Sequence, residues 1–273
     1  ALALLVTAVA VPVRFEQLRT PCVEARCSGD TVLLRPEMVP VLTELGLTPD
    51  DYARYQITVQ ILFLAVSWGL GALIFARRPD DGMAMLVARS LVGGGLGSGV
   101  YAPIALSEHW LAPVAGGVGY IGVVSVVVIF YIFPDGRFVP RWTIWLALLL
   151  ALNELIYVGL PGAPWSAHPL YLTVEGAIWV GSFIAIVAVQ IYRYRFISTP
   201  RQRYQTKLVI FGLAVTVITL VSMVVLAQAL GLLRSQQFRL FYSTILPLST
   251  MAIPITLAVA VLRYRLYEID VII

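Results

Sequence analysis

The chain has 273 residues, of which 59% are hydrophobic and only 12% are charged. A soluble domain carries about twice that share of charged residues, so the composition excludes an ordinary soluble fold. The apolar residues form repeated blocks near the roughly 20 residues that a helix needs to cross a bilayer. The net charge is +4, but the basic residues lie in short connections and form no basic face with interleaved aromatics. No nucleic-acid partner is therefore expected.

The sequence predicts an all-α fold, a polytopic transmembrane helical bundle of about eight helices with a small helical loop outside the cytoplasm. The eight apolar blocks are 1–13, 55–76, 82–106, 111–133, 143–160, 170–192, 208–233 and 241–262. The first block is interpreted as a transmembrane helix truncated at its N-terminus. Its Ala8-Val9-Ala10 triplet resembles a signal-peptide cleavage site, but the presence of the block in the chain favours an uncleaved helix.

The connections between the blocks differ in their basic residues, and this difference predicts the orientation. One set comprises 76–82, 133–143, 192–208 and the C-terminal tail. Its basic residues are Arg77, Arg78, Arg137, Arg141, Arg193, Arg195, Arg201, Arg203, Lys207, Arg263 and Arg265. The opposite set has two very short connections without Lys or Arg, one connection with Arg234 and Arg239, and the segment 14–54, which holds five arginines but also seven acidic residues. The contrast between the short connections is what predicts the orientation. Because Lys and Arg are retained in the cytoplasm, the first set and both termini are predicted to be cytoplasmic.

The segment 14–54 is the only sizeable region predicted outside the bilayer, on its outer side. It contains both cysteines, Cys22 and Cys27, and on an oxidising side these favour a disulfide. Two free thiols are the alternative, and a metal site is disfavoured because no histidine lies nearby. The stretch 35–47 is typical of a short amphipathic helix. Thr48 is then a predicted N-cap for a helix that starts at Pro49.

Ionisable residues inside a membrane are costly, so they are candidate functional residues. Glu154 and Glu175 lie at similar depth on two consecutive antiparallel blocks, near the outer leaflet. Together with Asn153 they are a candidate site for a shared proton or a cationic ligand group. Alternatively, each carboxyl group is wetted at the interface or bonded to a neighbour such as Trp179.

Arg89, in the third block, is a further candidate member of this intramembrane site. The alternative is that its side chain extends to a lipid phosphate. The glycine-rich run 93–99 follows no strand, so it is not a phosphate-binding loop, and its small residues favour close helix packing or a bend. No nucleophile–base pair, metal cluster or nucleotide motif occurs, so we expect no catalytic residue, cofactor or metal in this chain.

Three stretches of the first set of connections resemble a known family. They are 133–142 (FPDGRFVPRW), 198–207 (STPRQRYQTK) and 263–273 (RYRLYEIDVII). Their order and spacing resemble the N-terminal membrane sensor regions of bacterial sensor histidine kinases, including forms related to pheromone-receptor kinases. The resemblance implies a cytoplasmic kinase module after the tail, a homodimer formed through that module, and a location in the bacterial cytoplasmic membrane. The phosphoacceptor histidine and the ATP-binding motifs are absent from this chain, so only a longer parent protein would be an enzyme.

The predicted function is therefore that of a membrane sensor and signal-transduction domain in a two-component system. The predicted organisation is a first helix 1–13, an outer loop 14–54, a seven-helix membrane bundle 55–262 and an output linker 263–273. The linker residues singled out are Arg263, Arg265, Tyr267 and Asp270. The ligand is open between a peptide, a lipid and a small molecule. Two alternatives remain, an accessory or assembly subunit of a larger membrane complex and a transporter of a small amine or lipid.

Overall fold

A computed structural model describes residues 2–22, 32–94, 99–101, 104, 110–159, 168–232 and 235–262. Within these ranges the regular structure is helical and contains no strand. The ten helices are α1 (Leu2–Arg19), α2 (Met38–Glu44), α3 (Pro49–Arg77), α4 (Gly82–Gly94), α5 (Ala112–Ile132), α6 (Thr143–Gly159), α7 (Pro169–Phe196), α8 (Pro200–Ala229), α9 (Gln236–Thr250) and α10 (Ala252–Leu262).

Five segments of the described chain are long and apolar enough to cross a membrane. They are Pro49–Arg77, Ala112–Ile132, Thr173–Phe196, Gln202–Ala229 and Gln236–Leu262. Helices α4 and α6 are apolar but shorter. The predicted all-α membrane fold is thus confirmed, whereas the count of about eight crossings stays a prediction.

The last of these segments consists of two helices, α9 and α10, which meet at Met251. Pro254 has no backbone N–H to donate to the carbonyl of Thr250, and its ring crowds that carbonyl. A continuous helix is therefore disfavoured at this point, and the turn falls one residue after Thr250. Beside this turn, the Thr250 hydroxyl donates to the carbonyl of Pro247 at 2.8 Å.

Two helix starts are set by local side chains. Thr48 caps α3 in a capping box with Asp51, and Pro49 occupies the first turn, which confirms the predicted N-cap. Thr199 caps α8 in the same way with Gln202. Because of this cap, α8 begins at Pro200 and includes the polar segment that precedes the apolar block 208–233.

Helix α1 extends beyond the predicted end of the first apolar block and continues to Arg19. Arg14 lies inside it and is only 1% exposed. Its Nη1 atom donates to Oε1 of Gln17 at 2.7 Å, and its Nε atom donates to Oε1 of Gln60 on α3 at 3.3 Å. These bonds to polar groups offset the cost of burying the charge, so the helix continues past an arginine.

Helix α3 is central and contacts α1, α2, α4, α9 and α10. Helices α4 and α5 approach each other closely where Gly93 faces Gly122. A Cβ atom on Gly93 would lie 2.7 Å from the Cα atom of Gly122, so neither position has room for a side chain. The predicted packing role of the glycine run is confirmed at Gly93, while residues 95–98 lie outside the described residues.

One end of the bundle, which we call the cap end, is formed by residues 32–48 and the adjoining ends of α1, α3 and α9. Met38 and Leu42 of α2 are buried against Tyr52 of α3, with Leu240 of α9 beside them. The hydroxyl group of Tyr52 donates to the carbonyl of Val32 at 2.6 Å. The predicted amphipathic helix is thus present as α2 and packs on the bundle.

The opposite end, which we call the basic end, is formed by the connections 78–81, 133–142 and 197–199 together with the end of α10. Asp81, Pro134, Gln202 and Val261 line one cavity there, so the connections 78–81 and 133–142, the first turn of α8 after 197–199 and the end of α10 lie together. The orientation predicted from the basic connections requires these segments to lie at one end of the bundle. The assignment of the basic end to the cytoplasm stays a prediction.

Candidate functional site

A buried arginine near the end of α7 marks the basic end. Arg193 is 1% exposed, and its Nη2 atom forms an ion pair with the carboxylate of Asp135, whose side chain is 25% exposed. Its Nη1 atom donates to the carbonyl of Arg137 at 2.8 Å. A buried charge is tolerated when it is paired and hydrogen-bonded, so Asp135 and the loop carbonyl compensate the burial of Arg193.

Side chains on the same face of α7 also donate hydrogen bonds to the last carbonyl groups of α5. In a continuing helix the carbonyl of Phe130 would accept from residue 134, but Pro134 has no N–H. The Nε2 atom of Gln190 donates to the Phe130 carbonyl instead. Arg193 donates to the next two carbonyls, those of Tyr131 at 3.3 Å and Ile132 at 3.5 Å. We call Gln190 and Arg193 together the α7 clamp, because they bind the end of α5 and the loop after it.

The loop 133–142 is held by its own residues as well. The N–H of Gly136 donates to the carbonyl of Ile132 at 2.8 Å, with Gly136 at φ +75°, a region in which glycine is favoured. The N–H of Arg137 donates to the Asp135 carboxylate at 3.3 Å. At the far end, the Thr143 hydroxyl donates to the carbonyl of Pro140 at 2.8 Å. The loop therefore has a fixed backbone between α5 and α6.

A cavity of about 150 Å³ lies beside this loop. Its lining residues are Asp81, Met83, Ala84, Phe133, Pro134, Gln202, Gln205 and Val261. Two of the three stretches that carry the family resemblance contribute to this wall, namely 133–142 and 198–207. Val261 lies just before the third stretch, 263–273, which is outside the described residues.

Two polar side chains fix the walls of this cavity. The Nε2 atom of Gln205 donates to the carbonyl of Ala260 at 3.1 Å and so connects α8 to the end of α10. The carboxylate of Asp81 accepts from the N–H groups of Met83 at 2.9 Å and Ala84 at 3.1 Å and so caps α4. A displacement of α10 therefore acts directly on α8 and on the lining of the cavity.

The carboxylate pair predicted from the sequence is brought together between α6 and α7. Glu154 is 7% exposed, and its carboxyl group interacts with the side chains of Trp179 and Asn153. Glu175 lies near enough for the two carboxylates to repel each other. Tyr171 is in electrostatic range of both. Such an arrangement can hold a shared proton or a cationic group, although the contact with Trp179 also satisfies Glu154 without any ligand.

Arg89 lies elsewhere. Its side chain is exposed on α4, and α4 packs chiefly against α3 and α5, whereas the carboxylate pair lies on α6 and α7. The exposure agrees with the alternative in which Arg89 extends to a lipid phosphate.

Several predicted positions lie outside the described residues. They are Cys27 and the linker residues Arg263, Arg265, Tyr267 and Asp270. Cys22 is described, and its N–H donates to the carbonyl of Leu34 at 2.8 Å. No described cysteine is free, but the pairing of Cys22 with Cys27 stays a prediction.

The α7 clamp was not found from the sequence, which assigned Arg193 to an exposed basic connection. One signal was available, since Asp135 is the only carboxylate among the basic and aromatic residues of 133–142. An isolated acid in such a loop needs a basic partner, but the sequence does not show which arginine supplies it.

No protein-family model matches the chain, and neither a curated protein nor a solved structure matches it. The class that the described helices define is that of an α-helical membrane protein.

Proposed function

We propose that this chain is the membrane sensory domain of a sensor histidine kinase. It receives a signal outside or within the bilayer and passes it through the output linker 263–273 to a cytoplasmic kinase module. The observation that carries the proposal is the cavity at the basic end, where the loop 133–142, the start of α8 and the end of α10 meet. Two of the three family-like stretches contribute its wall, and Val261, which also lines it, lies two residues before the third stretch in the sequence.

A polar connection supports a route from the cap end to this cavity. Below the cap, the Nε2 atom of Gln56 on α3 donates to the hydroxyl oxygen of Ser243 on α9 at 2.8 Å. The hydroxyl group of Tyr55 donates to that of Thr244 at 2.8 Å. Helix α9 leads through Met251 into α10, and α10 ends beside the cavity. A displacement of the cap therefore reaches α10 through α9.

Such a route transmits a signal only if the ligand binds two arrangements of the bundle with different affinity. The two arrangements would differ at the cavity, because α8 and α10 are joined there by Gln205 and Ala260. The unknown ligand is a peptide, a lipid or a small molecule, and the dimer forms through the kinase module.

The first test of this proposal is the reading frame after Ile273. We expect it to encode a phosphoacceptor-histidine region and an ATP-binding region. A frame without either region, combined with co-purification of partner subunits, would support an accessory or assembly subunit instead.

A second test uses the full-length protein in membrane vesicles, with autophosphorylation as the measurement. Arg193→Gln removes the ion pair to the loop and is expected to change the basal rate severalfold. Arg195→Gln, at an exposed position of the same last turn, is the matched control and should leave the rate unchanged. Equal rates in both variants would contradict a role for the clamp in signalling.

The carboxylate pair favours a second candidate function, the transport of a small amine. Glu154 and Glu175 would then bind the ammonium group, with Trp179 beside them. Uptake of an amine into vesicles that is abolished by Glu175→Gln, but retained in Glu37→Gln at the exposed cap end, would support this function. Uptake that is equal in both variants would exclude the pair as its binding site.

A further inference from the structure

An open groove of about 740 Å³ is lined by residues of the loop 133–142 and the start of α6. Its lining residues are Arg137 and Arg141, which we call its rim, and Phe138, Val139 and Ile144, which we call its apolar floor. The groove thus combines two positive charges with an apolar surface, and it is separate from the cavity that Asp81 and Gln205 line.

The two arginines are exposed, and their guanidinium groups bond to no other described residue. The one carboxylate of the loop, on Asp135, is already paired with Arg193. Among the described residues the rim of the groove therefore has no counterion for its two positive charges, and its charge is complementary to an anion. Guanidinium groups bind phosphate oxygens through two parallel N–H donors, which favours phosphate among the anions.

The backbone that presents these charges is fixed. The carbonyl of Arg137 accepts from the buried Arg193 at 2.8 Å, and its N–H donates to Asp135 at 3.3 Å. Arg141 follows Pro140, whose carbonyl accepts from the Thr143 hydroxyl at 2.8 Å. The backbone positions of the two arginines are thus set by bonds that do not involve the guanidinium groups.

The position of the groove relative to the bilayer identifies the source of the phosphate. The membrane-spanning segment Ala112–Ile132 ends directly before the loop, so the groove lies at the level of the headgroups. From there, α6 runs back into the bilayer with an exposed apolar face. Its exposed residues include Trp145 (70%), Leu148 (51%), Leu149 (50%) and Leu152 (56%), and Trp142 directly before the helix is 55% exposed. Tryptophan at this level is typical of a membrane interface.

We propose that this groove is a binding site for an anionic phospholipid. The phosphate group lies between Arg137 and Arg141, and an acyl chain extends past Ile144 along the exposed face of α6. The apolar floor and the apolar face below it distinguish a lipid from a soluble phosphate, because a soluble phosphate would leave both uncovered. This inference is independent of the proposed sensory function, since it rests only on the groove and on the membrane-spanning helices.

The test compares two double variants that lose the same charge at the same end of the molecule. Arg137→Gln with Arg141→Gln removes the rim of the groove. Arg77→Gln with Arg195→Gln removes two exposed arginines from the last turns of α3 and α7 and is the matched control. Binding of phosphatidylglycerol and phosphatidylcholine to the full chain in detergent micelles is measured by native mass spectrometry.

We expect the groove variant to bind phosphatidylglycerol about 25-fold more weakly than the wild type, since each basic residue near an anionic surface contributes about fivefold. The control variant should lose less than twofold, and phosphatidylcholine should bind equally weakly to all three proteins. Equal retention of phosphatidylglycerol by the two variants would overturn the proposal.

A competition experiment distinguishes a lipid-binding site from a site for a soluble phosphate compound. Free glycerol 3-phosphate at millimolar concentration should not displace phosphatidylglycerol, and displacement would show a soluble-phosphate site and overturn the proposal. If the double variant does not give a monodisperse protein, Arg141→Gln alone is used, because Arg141 takes no part in the bonds to Arg193. That single variant should lose about fivefold in affinity for phosphatidylglycerol, and unchanged affinity would count against the site.

Discussion

Arg193 and Asp135 form an ion pair that joins the end of α7 to the loop after α5, with the arginine 1% exposed and the aspartate 25% exposed. The two residues lie far apart in sequence, so the pair fixes a tertiary contact rather than a local turn. It is also the reason why an arginine in a basic connection is buried instead of facing solvent.

Replacement of Asp135 by Asn should destabilise the protein. The buried guanidinium group of Arg193 would lose its charge partner, which costs about 3–5 kcal/mol in a fully buried pair. Because Asp135 is partly exposed, we expect roughly 1–3 kcal/mol, after a discount for solvent screening. Thermal unfolding in detergent, followed by circular dichroism, measures the change. Asp80→Asn, in the exposed turn after α3, is the control and should have little effect.

Replacement of Gly122 by Ala should separate α4 from α5. The added Cβ atom would overlap the backbone of Gly93, and overpacking of this kind costs about 1–3 kcal/mol. Gly119→Ala on the same helix is the matched control, because no atom lies within 4 Å of a Cβ built there. Unfolding temperatures should fall for the first variant and stay level or rise slightly for the second. Similar temperatures for both would show that the helices are not in close contact.

The two cysteines should be joined in the oxidised protein. Intact-mass measurement after alkylation should show no added alkyl group before reduction and two groups after it. Addition of two groups without reduction would contradict the predicted bond between Cys22 and Cys27. A Cys22→Ser variant should accept one group under both conditions and serves as the reference.

The basic end should face the cytoplasm. In a Cys22→Ser, Cys27→Ser background, single cysteines at Arg137 and Arg201 should react with an impermeant maleimide only in inside-out vesicles. A cysteine at Glu37 of the cap end should react only in right-side-out vesicles. Labelling of Arg137→Cys and Arg201→Cys on opposite faces would overturn the orientation and the sensory function with it.

Local features of the fold could be predicted from the sequence. Thr48 and Thr199 are followed by proline and by a capping partner, so the start of α3 was predicted, and the same signal was present at α8. The extent of α1 was not predicted, because its continuation past Arg14 depends on Gln60 of another helix. Such contacts join residues of different helices, and the pattern of residues within one helix does not identify the partner on another.

The candidate sites likewise differ in how far they could be predicted from the sequence. Glu154 and Glu175 were predicted to lie together because consecutive antiparallel helices bring residues of equal depth side by side. The α7 clamp was not predicted, since the missing N–H of Pro134 shows that the Phe130 carbonyl needs a donor but does not identify Gln190. The groove between Arg137 and Arg141 depends in turn on the clamp, because Arg193 occupies the one acid that would otherwise neutralise them.

The capping of α5 by side chains of α7 has a mechanical consequence. Pulling the two helices apart would leave the carbonyls of Phe130 and Tyr131 without their α7 donors in an environment poor in water, where each unmatched group costs several kcal/mol. Helices α5 and α7 are thus expected to move together as one rigid body. A rearrangement at this end is then expected as a sliding motion between that body and the pair formed by α8 and α10.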